Sequence, residues 1–259
     1  MALSSEDRRA LEFAKTILES PSLAVKIADL IGIPIEKGYE LLPKKWNVAI
    51  SDATKRALET ALDWALLTMG KKRPLHSSDK FHKYLVAITG GVGGALGLAS
   101  LPIELPVSTL VMLRSIADIA RSEGEQPKSP ETKLACLEVF ALGGTSARDD
   151  NAEVGYYAVR SALAKSISDA ARYVSEKGFS EKGAPALVRL IANIASRFGI
   201  VVSDKAAAQA VPVIGAAGGA IVNAVFMDHF QDMARGHFII RRLERTYDPF
   251  EVRQEWDRI

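Results

Sequence analysis

One cysteine in 259 residues, Cys136, excludes an intramolecular disulfide and gives no sign of an oxidising compartment. Charge of one sign is also scarce: 33 Lys and Arg stand against 31 Asp and Glu, for a net charge of +2. That balance, with the cations dispersed among acids, is too small for a nucleic-acid surface, and no nucleic-acid partner is expected. The opening MALSSEDRRALEFAKTILES carries Glu6, Asp7, Arg8, Arg9, Glu12 and Lys15 and so lacks the apolar stretch of a secretory signal. Cytoplasmic residence is the expectation.

Sequence motifs for chemistry are missing as well. No Lys follows a glycine run at the spacing of a phosphate loop, and Gly91-Val92-Gly93 is followed by Leu96 where a dinucleotide turn needs glycine. There is no GxSxG. The histidines His76, His82, His229 and His237 contain no i, i+4 pair of the kind that holds zinc on a helix. Asp228, His229 and Asp232 share a turn, which reads as a solvated helix face, and Cys136 within LACLEVF reads as a small buried thiol. No cofactor, metal or catalytic residue is expected.

What is present is helical periodicity. Apolar residues recur at helical spacing over 5–19, and SLAVKIADLIG makes a second helix ending at Gly32, with Ser20-Pro21 between the two as cap and first-position proline. PIEKGYELLP forms a short helix. A longer one begins at Ser51 or Asp52 and stops at Gly70; STLVMLRSIADIARSEGE, ETKLACLEVFALGG, the segment from AEVGYYAVR to Gly178, and ALVRLIANIASRFG come after it. A last long helix runs from IVNAVFMDHF toward the tail, and the best strand candidate, IVVSDK at 200–205, is short enough to be a connector. The fold class is therefore all-α, a multi-helix bundle.

Two segments are unusual. YLVAITGGVGGALGLASLPIELPVSTLVML carries only Glu104 as a charge, and ITGGVGGALGLAS is echoed by VIGAAGGAIVNAV. Gly90/Gly94, Gly93/Gly97 and Gly215/Gly219 each repeat at four residues, a spacing that lets helix backbones approach closely. These would be two central glycine/alanine-rich helices. Residues 84–101 are uncharged over 18 positions, yet glycine and alanine offer little apolar area, and Pro102, Glu104 and Pro106 then interrupt the run. Either the dry centre of a soluble bundle or an interfacial hairpin fits that composition.

Just before this run, Lys71, Lys72, Arg73, Lys80 and Lys83 face Asp79 alone. Such a flank suits anionic headgroups or an acidic partner, and it is also an ordinary solvated loop. Polar residues within apolar surroundings are Glu104, Arg114 and Asn223; a buried Glu104 needs a cation, Arg114 or another, and Asn223 a hydrogen-bond partner on a neighbouring helix.

The blocks GGVGGALGLASLPIELPVSTLVMLRSIADIARSEGE, LACLEVFALGG, YYAVRSAL and VPVIGAAGGAIVNAVFMDHFQDMARGHFIIRRLE, in this order and spacing, resemble the EcsC protein family over about residues 40 to 246. The resemblance implies bacterial origin, a helical fold and a connection to the cell envelope, and it supplies no active site. The domain reading is an N-terminal helical extension over 1–45 and an EcsC-like domain over 46–259, forming one continuous unit. Three functions fit: a peripheral partner of the inner membrane or of a membrane protein, a ligand-binding protein or enzyme with a pocket between the glycine-rich helices, and a homo-oligomeric scaffold.

Overall fold

The structure is a computed structural model that describes residues 3–32, 34–68, 101–144, 155–177, 184–211 and 215–259. Among these it has ten helices and no strand: α1 Ser5–Leu18, α2 Leu23–Ile31, α3 Ile35–Leu41, α4 Trp46–Thr68, α5 Leu101–Ser122, α6 Pro130–Leu142, α7 Tyr156–Lys177, α8 Pro185–Ala210, α9 Gly215–Thr246 and α10 Pro249–Arg258. The all-α bundle follows from the one-sided apolar stripes.

Local chemistry sets the ends. Ser4, Ser22, Ser129 and Asp248 each accept a backbone N–H from the first turn of α1, α2, α6 and α10. The cap of α2 is thus Ser22 rather than Ser20. Gly32 closes α2 in the left-handed region at φ 66°, where a side chain would be strained.

Three boundaries differ from the sequence reading. Trp46 begins α4 more than a turn before Ser51, its N–H bonded to the Pro43 carbonyl and its ring packed on the core. Pro102 and Pro106 do not interrupt α5: the first lies in the first turn, where the missing N–H would find no partner, and the second removes one hydrogen bond from a helix otherwise fixed by burial. Gly199 and IVVSDK belong to α8, because Val201, Val202 and Lys205 continue the buried stripe of Leu190, Ile194 and Phe198.

At the centre lies α6, buried without interruption from Thr132 to Leu142 and packed against α4, α5, α7, α8 and α9. A helix enclosed on all sides has no polar face to show, and from Leu134 to Leu142 its sequence is accordingly apolar apart from Glu138. Phe140 of α6, Phe198 of α8, and Phe226 and Phe230 of α9 form one aromatic cluster with ring centroids 5.0 to 6.2 Å apart. The N-terminal helices are part of this packing. α1 lies on α9 and α10, α2 on α8 and α9, and α3 on α8, where Gly38 comes so close that an added Cβ would sit 2.1 Å from the Ala207 carbonyl oxygen.

Candidate functional site

Charged side chains have been folded into two buried clusters. The first joins the start of α5 to the last turns of α8 and the first turns of α9. Lys205 Nζ donates to Glu104 Oε1 at 2.7 Å, Asn223 Nδ2 donates to the same oxygen at 2.8 Å, and all three residues are buried. The Lys205 ammonium also stands 4.7 Å from the Phe226 ring centroid, tying the pair to the aromatic cluster. Burial pushes its pKa below the ordinary lysine value, and the Glu104 carboxylate opposes that shift. Next along α8, Asp204 accepts a 2.5 Å hydrogen bond from Tyr39 Oη.

The second cluster surrounds Glu138 of α6. Its carboxylate lies 3.7 Å from His237 Nε2, beyond hydrogen-bond reach, and His237 Nδ1 is hydrogen-bonded to Tyr156 Oη at 3.0 Å. Burial raises the Glu138 pKa to about 7, with Arg160 and Arg241 pulling it back, and burial likewise drives His237 well below the ordinary histidine value. Arg160 forks onto Glu244 at 2.8 and 2.9 Å; Arg241 bonds Glu125 at 2.8 Å, and Arg245 and Thr132 bond Glu125 as well. Glu125 and Glu244 are thus paired with arginines, while His237 Nε2 has no hydrogen-bond partner among the described residues. Glu138 and His237 are themselves buried, while Arg160, Arg241, Glu244 and Arg245 reach partly toward solvent.

The structure sorts the sequence candidates by position. Gly90, Gly93, Gly94 and Gly97, and Lys71, Lys72, Arg73, Lys80 and Lys83, lie outside the described residues. Gly215 is the first residue of α9 and Gly219 is buried in its second turn. Glu104 and Asn223 are joined directly, while Arg114 is half-buried on the outer side of α5 and is not Glu104's cation. His229 is buried rather than on a solvated face, its Nε2–H donating to the Gly143 carbonyl at 3.2 Å, and burial lowers its pKa to about 4. Cys136 is fully buried, and burial raises its thiol pKa. Among the described residues, no three His, Cys, Asp or Glu side chains converge on a metal-sized site.

Sequence reasoning missed Lys205, Glu138 and His237. The usable signal was position: Lys205 continues the stripe of Ile194, Phe198, Val201 and Val202, Glu138 lies inside an all-apolar helix, and His237 follows Phe226, Phe230 and Met233 on one face. A charge on an apolar stripe implies an internal partner. Among the described residues α8 is the one helix long and apolar enough to cross a membrane by length and composition, yet it packs against α3, α4, α6 and α7 and holds this ion pair.

Together these features define an all-α bundle built around an enclosed helix, with its buried charges spent on holding helices together. A family model matches it over residues 8–243, taking in α1 to α3 as well as the glycine-rich segments. The chain belongs to the EcsC protein family. No curated protein and no solved structure matches it.

Proposed function

We propose that this EcsC family member is a non-enzymatic helical protein that docks peripherally on the anionic surface of the inner membrane, or on a membrane protein there. One observation carries the reading: Lys71, Lys72, Arg73, Lys80 and Lys83, against Asp79 alone, directly precede the uncharged run 84–101, which ends where α5 begins. Cations next to an uncharged apolar run are what an anionic lipid surface attracts and then accommodates.

Flotation of the purified chain with vesicles of increasing phosphatidylglycerol content, at low and high salt, tests this directly. Salt-sensitive flotation that falls when Lys71, Lys72 and Arg73 are changed to Glu is the expected result. Unchanged flotation of that variant rejects the basic dock.

A second reading is favoured by Glu104, whose Oε2 is buried and accepts no hydrogen bond among the described residues. That oxygen would anchor a ligand in a pocket between the glycine-rich segments. Glu104→Gln would then alter the thermal-shift profile of the protein against a small-molecule panel, and an identical profile removes this reading.

A further inference from the structure

We infer that the outward face of the first turns of α5 is the surface that enters the bilayer, with Ile221 of α9 exposed at the same end of the bundle. Ile103 is 77% exposed, Val107 45% and Ile221 43%, among the described large apolar residues left facing solvent. Ile103, Val107, Leu110 and Arg114 succeed one another at intervals of four, three and four residues, so they line one side of α5, with Leu110 and Arg114 half-buried. The Glu104–Asn223 hydrogen bond fixes the register of α5 against α9, and it brings Ile221 to the same end of the bundle as Ile103.

The occupant is an anionic bilayer, and three features select it. The stripe continues in sequence from the uncharged run 84–101, itself preceded by the five cations at 71–83. The order along the stripe is apolar first and cationic last: Arg114 lies about 16 Å along the axis from Ile103, so a helix entering obliquely by its first turns holds the guanidinium at phosphate level. Beneath the stripe, Glu104 is buried and its Oε1 is held inward by Lys205 and Asn223, so the carboxylate at the entering end is not presented to lipid. Arg114, which forms no part of the buried cluster, thereby acquires a partner in the lipid phosphate.

This inference rests on the membrane reading above and can fail without it. The test places an environment-sensitive NBD label on Ile103→Cys in the full chain; Cys136 is fully buried and leaves the introduced thiol as the reactive one. Val188→Cys, 47% exposed and about 25 Å along α8 from Lys205, is the control. With vesicles of phosphatidylglycerol and phosphatidylcholine, the label at 103 should shift to the blue and be quenched by brominated acyl chains, while the label at 188 should not change. Changing both Ile103 and Val107 to Asp should weaken vesicle binding by about tenfold or more with the helical circular-dichroism signal intact, since both side chains are outside the core. Flotation with an unresponsive label at 103 overturns the inference and leaves the basic dock standing. A blue shift that grows with protein concentration in the absence of vesicles assigns the stripe to a second copy and also overturns it. No flotation at any salt removes both.

Discussion

Lys205 and Glu104, 101 residues apart, meet at 2.7 Å with 0% and 4% of their side chains exposed, and through Asn223 they fasten α5, α8 and α9 at one end of the bundle. Two charges removed from water depend on each other.

Removing either partner alone is therefore expected to be severe. Glu104→Gln or Lys205→Met should each lower unfolding free energy by about 3–5 kcal/mol, because each strands the other group in the core. The double variant should recover most of that loss. Denaturant titrations of the two single variants and the double variant give the coupling, and strictly additive losses would show that the residues do not act as a pair.

Glu138 makes the opposite case. Its folded-state pKa is raised from 4.5 to about 7 by burial, so between those values the native state holds a proton that the unfolded chain has released. Stability from this group is complete below pH 4.5, falls as pH rises toward 7, and stays reduced above it. Around the carboxyl stand Arg160, Arg241, Glu244 and His237. Glu138→Gln, which mimics the neutral form, should match the parent at pH 4 and exceed it by roughly 1–3 kcal/mol at pH 8. Equal stability of the two proteins at pH 8 would contradict this assignment.

His229 supplies an acid limit. Burial depresses its pKa from 6.5 to about 4, so its contribution is complete above pH 6.5 and is lost as pH falls toward 4, where only the unfolded chain takes up the proton. His229→Gln keeps an amide donor for the Gly143 carbonyl and should flatten the acid limb of the stability curve by roughly 1–3 kcal/mol between pH 7 and 4. An unchanged limb would place the acid sensitivity elsewhere.

Two glycines should respond in opposite directions to alanine. A Cβ at Gly38 would collide with the Ala207 backbone, and Gly38→Ala should cost about 1–3 kcal/mol through displacement of α3 from α8. At Gly199 nothing lies within 4 Å of an added Cβ, and the residue sits inside α8, so Gly199→Ala should stabilise by about 0.5–1 kcal/mol. Thermal melts of both variants decide the matter.

Helices with a one-sided stripe were legible: α1, α2, α7 and the body of α9 follow from apolar spacing. The errors came where a local signal met a tertiary one. Pro106 and Gly199 are helix breakers by propensity, and burial of Leu105, Leu113, Phe198 and Val202 outweighs them. In the candidate site, Glu104 and Asn223 announced themselves as polar residues in apolar runs. Lys205 did not, because reading 200–205 as a connector removed it from the stripe that gives it meaning. Pairing between α5 and α8 spans more than a hundred residues, and spacing within one helix carries no information about it.

The docking of α1 on α9 and α10, and of α3 on α8, has a consequence for how the chain is made. Leu11, Ala14, Leu23 and Ile27 leave the ribosome before the surfaces that cover them, which are encoded about two hundred residues later. At about 5–20 residues per second, nascent α1 and α2 wait on the order of 10–40 seconds with their apolar faces bare. Helices α1 and α2 are thus in need of a holdase during synthesis, and the arrival of α9 releases them.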